Sequence, residues 1–306
     1  MILLCGIPSE SPLAMVGRAL DALGADYRVL NQRKVAALDI AWQIDGAGVE
    51  GTLRLEQETF RLADIEAVYF RLMDDRILPE LEGEPEGSPG RRHARGFHDA
   101  LFHWLEIAPG RIVNRAEPQG SNGSKPYQAQ LILQYGLRVP ETLITNDPHT
   151  VLAFQREHGT LIYKSMSGVR SIVHALGQDD LARLDLIRWC PVQFQALVPG
   201  IDMRVHVVDR EVHATEIISD VLDYRYARRA GGSSELRAAE LPADTADKCV
   251  ALARGLGLPF AGIDLKITPD GEVFCFEVNP CPAFSFYEAN TGQPIAASLA
   301  RYLAGA

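Results

Sequence analysis

The chain has no excess of positive charge. Its 40 Asp and Glu outnumber 30 Lys and Arg, which gives a net charge of −10 over 306 residues. Sequence-independent binding to nucleic acid or to an anionic membrane needs a basic surface, so we expect neither partner. One local exception is the basic run Arg91, Arg92, His93 and Arg95, which follows a stretch rich in Glu, Gly and Pro at residues 80–90. We interpret the two together as a mobile surface segment.

Cysteines are few, and long apolar runs are missing. The five cysteines form no C-x-x-C pair and are odd in number, which favours a reduced, cytoplasmic setting over a disulfide framework. The apolar start Met1–Ile7 is too short for a signal-peptide core and has no basic residues before it. No segment approaches the ~20 apolar residues that span a bilayer. We therefore expect a soluble protein.

What remains is typical of a globular protein built from several units. Hydrophobic residues make up 47% and charged residues 23%, and the length suffices for two or three packed units. The pattern predicts a strand at Ile2–Ile7, a helix at Pro12–Leu23 and a strand at Tyr27–Leu30, which indicates a small parallel sheet. The stretch Glu117–Ser124 is rich in turn residues and predicts a domain boundary.

Residues 261–280 predict a hairpin with a turn at Pro269-Asp270-Gly271. Side chains of a strand alternate between two faces, and apolar residues alternate on both predicted strands. The alternating residues are Ile263, Leu265 and Ile267, then Phe274, Phe276 and Val278. We expect all six on one core face, which fixes the register of the two strands.

That register sets Asp264 opposite Glu277 on the other face, with Asn279 next along. Like charges facing each other are destabilising, so we expect a cation between them. Two carboxylates and an amide oxygen are ligands that suit magnesium. The alternative is that the carboxylates are solvated or are neutralised by Lys266.

Two lysines indicate a phosphate site. Lys125 begins a predicted helix and Lys164 ends a predicted strand, and each ammonium could contact a nucleotide phosphate. The alternative is a surface lysine whose stem covers apolar surface. After Lys164, a loop with Ser167 and Gly168 offers backbone N–H groups that can hold phosphate oxygens, unless it is an ordinary turn.

The segment 192–205 alternates amide and apolar side chains around Gln195, which suits an adenine slot. Asp202 and Arg204 follow it, and the alternative for both is a surface ion pair of little energetic value. Arg225 follows the next predicted strand, where its guanidinium could hold a carboxylate through two parallel hydrogen bonds.

The order of these motifs over residues 112–290 resembles the ATP-grasp superfamily. Within it, the chain is most similar to RimK-type ligases and to the graspetide, or microviridin-type, ligases that cyclise peptides. The resemblance implies an α/β and α+β fold: a small parallel-sheet pre-grasp domain followed by a two-subdomain ATP-grasp fold. The implied boundaries are 1–115 for the pre-grasp domain, 116–192 for the central lid and 193–306 for the C-terminal subdomain with the metal site.

The resemblance also implies roles for individual residues. ATP and two Mg²⁺ would be the cofactors, with the ions held by Asp264, Glu277 and Asn279. The nucleotide would contact Lys125, Lys164, Ser167, Gly168, Arg170, Gln195, Ala196, Leu197 and Asp202. Arg204 and Arg225 would be catalytic, orienting the substrate carboxylate and its acyl phosphate.

These roles imply an ATP-dependent ligase that joins a carboxylate to an amine or a hydroxyl through an acyl phosphate. The substrate would be a peptide or an amino acid. Whether the protein forms a homodimer is left open. Arg71 and the Arg91–Arg95 run are candidates for acceptor recognition, whereas His206 and His213 are expected to be structural. The alternatives are a kinase of the same fold that phosphorylates a small molecule, and a non-catalytic nucleotide-binding subunit.

Overall fold

The computed structural model describes residues 1–46, 48–165, 173–219 and 234–306. Its N-terminal helices are α1 (Ser11–Leu23) and α2 (Pro89–Ile107). Its N-terminal strands are β1 (Ile2–Gly6), β2 (Tyr27–Asn31), β3 (Leu38–Asp45), β4 (Gly48–Leu55), β5 (Glu58–Arg61), β6 (Ala67–Phe70) and β7 (Arg111–Val113). A parallel sheet runs in the order β2-β1-β6-β7, and β3-β4-β5 form an antiparallel sheet beside it. The parallel N-terminal sheet is therefore confirmed.

An antiparallel sheet in the order β10-β9-β11-β8 occupies the middle of the chain. Its strands are β8 (Thr142–Thr145), β9 (Leu161–Ser165), β10 (His174–Ala175) and β11 (Val192–Ala196). The helices of this part are α3 (Ala116–Gln119), α4 (Lys125–Gln134), α5 (Pro148–His158) and α6 (Gln178–Ala182). A small core that includes Val151, Leu161 and Phe194 holds the sheet to α5.

The C-terminal part contains a larger antiparallel sheet in the order β14-β13-β12-β15-β16. Its strands are β12 (Ile201–Val208), β13 (Glu211–Ser219), β14 (Ser234–Ala239), β15 (Phe260–Ile267) and β16 (Val273–Asn279). The helices are α7 (Ala243–Gly255), α8 (Ser285–Thr291) and α9 (Ile295–Ala304). The mixture of parallel and antiparallel sheets confirms the predicted fold class, whereas the division into three domains stays a prediction.

The two faces of the C-terminal sheet pack against different partners. One face buries Val205, Val207 and Ile263 against α7 and against Ile132 of α4. The other face belongs to a core that joins Leu299 of α9 to residues of β1, α1 and β6. The N-terminal sheet and the C-terminal sheet are therefore linked through continuous apolar packing. Within the described ranges, no helix combines the length and the apolar character that crossing a membrane requires.

The basic run is part of helix α2, so its interpretation as a mobile surface segment is wrong. Ser88 caps this helix by accepting a hydrogen bond from the Arg91 backbone N–H at 3.1 Å. The Arg91 side chain donates to the Leu81 carbonyl at 2.7 Å and so holds the preceding loop. Arg95 Nη2 lies 2.9 Å from Asp75 Oδ1. A proline following a serine is a helix-start signal, and it outweighs the turn residues before it.

The predicted hairpin forms, with one irregularity. Asp264 pairs with Glu277 as expected, but a bulge follows, and Leu265 pairs with Cys275. The bulge adds one residue to β16 and reverses the alternation beyond it. Cys275 therefore faces the core, where it is fully buried. The expectation that Phe274 and Phe276 lie on the core face is wrong, because both line the cavity described below.

Candidate active site

The two facing carboxylates are held by two cations from outside the hairpin. Arg204 on β12 places Nη1 2.7 Å from Asp264 Oδ1, and Lys125 at the start of α4 places Nζ 2.9 Å from Glu277 Oε1. The expected positive charge is therefore present. The alternative neutralisation by Lys266 is wrong, because its Nζ lies 3.2 Å from Asp202 instead.

Arg204 is deeply buried, at 6% exposure, so it is not a surface residue. Its guanidinium lies 5.6 Å from the ring centre of Tyr287, an arrangement that favours a cation. Gly262 leaves the space that this side chain fills, since a Cβ at position 262 would lie 2.5 Å from Arg204 Nη2. The glycine thus permits the arginine to reach Asp264.

The third predicted ligand, Asn279, lies on the same hairpin, opposite Gly262. Its Oδ1 accepts a hydrogen bond from the Cys281 backbone N–H at 2.9 Å. Hard oxygen donors of this kind fit Mg²⁺, which takes a few protein ligands and completes its shell with water and phosphate. In the described part of the chain, no cluster of three or more His, Cys, Asp or Glu is arranged for a metal, so a site here depends on the asparagine.

A cavity of about 790 Å³ separates the middle sheet from the hairpin. Among the residues predicted to bind nucleotide, its lining includes Lys125, Lys164, Gln195, Ala196 and Leu197. Lys125 belongs both to this lining and to the ion pair with Glu277. The cavity and the carboxylate patch are therefore contiguous.

Three hydrogen-bond donors of the predicted adenine slot are engaged within the protein. Gln195 donates from Nε2 to Thr142 Oγ1 at 2.9 Å. The backbone N–H of Ala196 donates to the Glu141 carbonyl at 3.0 Å, and the backbone N–H of Leu197 donates to the Thr160 carbonyl at 2.9 Å. These two N–H groups are thus committed, and an adenine would have to use other atoms of the slot.

Other predicted site residues lie apart from the cavity or outside the described residues. Asp202 is a cross-strand neighbour of Lys266 and is separate from the described cavity lining. Ser167, Gly168, Arg170 and Arg225 fall outside the described residues.

Arg71 contacts the loop that follows Asn279. Its Nη1 lies 3.2 Å from both Cys281 Sγ and the Pro282 carbonyl, and its Nε donates to Glu10 at 3.1 Å. With a side chain only 8% exposed, Arg71 links the N-terminal unit to the hairpin, and these bonds occupy the guanidinium predicted to recognise an acceptor.

The two strand histidines are buried beside this site. His206 is fully buried, and among the described residues neither of its ring nitrogens has a hydrogen-bond partner. Burial, followed by the charge of Arg204, holds its pKa well below the usual value. His213 lies 2.8 Å from Ser298 Oγ, and burial lowers its pKa as well.

Two residues outside the sequence motifs also contact the hairpin. Gln128 bonds to Val278, and Asn114 bonds to Pro280. Gln128 follows Lys125 by three positions on α4, a spacing that places two side chains on one face of a helix. This spacing is the feature of the sequence that could have indicated Gln128. For Asn114, the sequence offers only its position directly after β7.

The middle sheet and a hairpin that carries two carboxylates enclose one cavity, the arrangement that the resemblance to ATP-grasp enzymes implies. The chain belongs to the RimK-like ATP-grasp family, whose domain profile matches residues 124–303. The predicted superfamily, its RimK-type branch and the prediction of an ATP-dependent ligase are confirmed at the level of the family.

Curated relatives carry ligase names. A probable alpha-L-glutamate ligase of Xanthomonas campestris pv. campestris is 27% identical, over 82% of this chain and 91% of the relative. A probable alpha-L-glutamate ligase of Parasynechococcus marenigrum is 26% identical over 64% of this chain. The matched part spans only 44% of that second relative.

Solved structures extend the similarity to the whole chain. A RiPP-associated ATP-grasp ligase of Chryseobacterium gregarium, in complex with ADP and a leader and core peptide, superposes with a TM-score of 0.83. It is 22% identical, over 99% of this chain and 96% of that one. The ATP-grasp ligase PsnB, complexed with a minimal precursor, Mg and ADP, gives a TM-score of 0.79 at 28% identity, with coverages of 99% and 96%.

Proposed function

We propose that this protein uses ATP to activate a carboxylate of a peptide substrate and joins it to an amine or a hydroxyl. The observation that carries this proposal is the double contact of Lys125, which lines the cavity and pairs with Glu277. A nucleotide in the cavity would bring its phosphates to the hairpin that carries the carboxylates. Peptide-bound relatives of the same fold, among them PsnB, support the choice of substrate.

We assign the hairpin to the cation. Asp264, Glu277 and Asn279 would hold two Mg²⁺, which would offset the negative charge of the phosphates during transfer. The Mg and ADP in the PsnB complex support magnesium as the ion.

The remaining residues would hold the nucleotide. Phosphate oxygens would contact Lys125 and Lys164, together with Arg170 and the loop of Ser167 and Gly168. The base and ribose would contact Gln195, Ala196, Leu197 and Asp202. The position of Lys125, Lys164 and Gln195 around one cavity supports this assignment.

Arg204 and Arg225 would orient the substrate carboxylate. A carboxylate oxygen attacks the γ-phosphorus, ADP leaves, and an acyl phosphate forms. The amine or hydroxyl then attacks the acyl carbon, phosphate leaves, and the nucleophile loses its proton. Holding the reactants in the right geometry makes each step effectively unimolecular. Among residues that the structure describes, buried Arg204 is suited to this role because its guanidinium lies beside the hairpin.

A kinase or a non-catalytic subunit is not favoured, because the family and the curated relatives are ligases. A kinase would leave a phosphorylated product stable to hydroxylamine, whereas an acyl phosphate is trapped as a hydroxamate. Observation of the stable product without ligation would contradict the proposed chemistry.

The experiment that tests the proposal is ADP release over a panel of carboxylates, amines and peptides, followed by the product mass. Loss of one water from a peptide indicates intramolecular closure. Gain of an amino-acid residue indicates extension, the reaction that the names of the glutamate ligases suggest. Absence of ADP release with every peptide in a broad acidic panel would contradict the peptide substrate. A Glu277→Ala variant, which removes a proposed metal ligand, is the negative control.

A further inference from the structure

At Val278, the outer edge of β16 is bonded to a side chain of α4. Gln128 of α4 donates from Nε2 to the Val278 carbonyl at 2.8 Å and accepts from the Val278 N–H at 2.9 Å. The glutamine is only 1% exposed. One amide thus satisfies both backbone groups of one residue, as a neighbouring strand would.

A second buried amide holds the chain two residues further on. Asn114, at 3% exposure, donates from Nδ2 to the Pro280 carbonyl and to the Phe260 carbonyl. Its Oδ1 accepts from the Phe260 N–H at 3.2 Å. Asn114 therefore ties the end of β16 to the start of β15. We refer to Gln128 and Asn114 together as the amide clamp.

The amide clamp contacts the backbone directly next to the proposed metal ligands. Val278 lies between Glu277 and Asn279, and Pro280 follows directly. The bulge next to Asp264 interrupts the regular ladder on the inner side of β16. The backbone near these ligands therefore depends on the outer contacts for its position.

We propose that Gln128 and Asn114 are positioning residues that hold Glu277 and Asn279 in the geometry a divalent cation requires. The proposal rests on the proposed function of the hairpin. Magnesium demands near-ideal octahedral geometry, so small displacements of its ligands are costly. Groups that orient metal ligands typically change metal affinity 10- to 100-fold when they are mutated.

Gln128 has a second effect through its own helix. It lies three residues after Lys125, on the same side of α4. Gln128 and Lys125 thus contact neighbouring residues of β16, since Lys125 Nζ lies 2.9 Å from Glu277 Oε1 and Gln128 bonds to Val278. Loss of the glutamine amide removes two of the contacts that join α4 to the hairpin.

The chain offers a matched control. Gln32, 3% exposed, makes the same pair of bonds with the backbone of Met73, donating at 2.7 Å and accepting at 2.9 Å. Gln32→Met and Gln128→Met each replace a buried amide and so remove its two hydrogen bonds to the backbone. Of these two amides, only that of Gln128 contacts the hairpin.

The test is Mn²⁺ binding to the full chain by electron paramagnetic resonance, with a non-hydrolysable ATP analogue present. We expect Gln128→Met to weaken Mn²⁺ binding about 10- to 100-fold. Gln128→Glu keeps the acceptor for the Val278 N–H but loses the donor, so we expect it to weaken binding as well. Gln32→Met keeps wild-type affinity, although thermal unfolding of both methionine variants shifts to lower temperature.

Wild-type Mn²⁺ affinity in a folded Gln128→Met variant overturns the proposal, as does equal weakening in Gln32→Met. Where Gln128→Met fails to fold, Gln128→Glu and Asn114→Asp decide: wild-type affinity in both overturns the clamp. Glu277→Gln separates the two levels of inference. Wild-type affinity in that variant removes the proposed metal site itself, whatever Gln128 does.

Discussion

The ammonium of Lys125 lies 2.9 Å from Oε1 of Glu277 and also donates to Asn122 Oδ1 at 2.9 Å. Likewise, Arg204 Nη1 lies 2.7 Å from Asp264 Oδ1. Each of the two proposed carboxylate ligands is thus paired with a cation of the chain, which offsets the repulsion between the facing carboxylates. A divalent ion that binds the hairpin competes with these two side chains.

Lys125→Met should separate binding of the bare cation from binding of the nucleotide. Loss of the competing ammonium raises the affinity for Mn²⁺ alone, measured by titration without nucleotide. The KM for ATP rises about tenfold or more, because a hydrogen bond to a charged group contributes about 1.5–3 kcal/mol. Lys248→Met, which breaks the exposed pair with Asp244, changes neither quantity. Unchanged Mn²⁺ binding in Lys125→Met would contradict the competition.

Asp264→Ala should abolish turnover and also lower stability. The change removes a proposed ligand and deprives buried Arg204 of its carboxylate. The expected loss is about 1–3 kcal/mol, below that of a fully buried pair because Asp264 is partly exposed. ADP release and urea unfolding measure the two effects. Glu235→Ala, which breaks the exposed pair with Arg237, is the control, and wild-type turnover in Asp264→Ala would end the metal assignment.

Gly262→Ala should displace Arg204 without changing a charge. The new methyl group meets the guanidinium and Pro282 Cβ, 2.7 Å away, and overpacking typically costs about 1–3 kcal/mol. We expect lower kcat and a shifted unfolding midpoint. Gly96→Ala, at a helical position with open space around it, should be neutral or stabilising. Full activity in Gly262→Ala would show that Arg204 needs no such space.

Acid should destabilise the protein through His206, because burial lowers the pKa of this side chain well below its usual value. Below about pH 6.5 the unfolded chain binds a proton that the folded chain excludes, so stability falls as pH falls. The slope approaches about 1.4 kcal/mol per pH unit for this one group. His206→Leu should flatten the dependence of urea unfolding on pH between 7.5 and 5.5. His149→Gln, at an exposed position, should retain the wild-type slope, and an equal slope in both variants would exclude His206 as the cause.

Strand alternation was sufficient to predict the pairing of Asp264 with Glu277. A period of two leaves one register in which the apolar residues share a face. The bulge after Asp264 was not predicted, because the apolar alternation of both strands is satisfied without an extra residue. The predicted pairing holds from Gly262 to Asp264 and shifts by one residue beyond the bulge.

The identity of the neutralising cations was also beyond the sequence. Lys266 is close to Asp264 along the chain, but its position opposite Asp202 directs it there. Lys125 lies about 150 positions before Glu277 and reaches it only because α4 packs on the hairpin. Strand β3 went unpredicted although Leu38, Ile40, Trp42 and Ile44 alternate, so there the signal was present in the residues.

The position of β16 at the end of its sheet has a consequence for solubility. The last strand of a sheet presents unpaired backbone groups that can recruit another chain and start aggregation. In this protein Gln128 occupies that edge at Val278, and the Arg138 carbonyl accepts from the Cys275 N–H at 2.7 Å. The strand that carries Glu277 and Asn279 is thereby shielded from pairing with a second molecule.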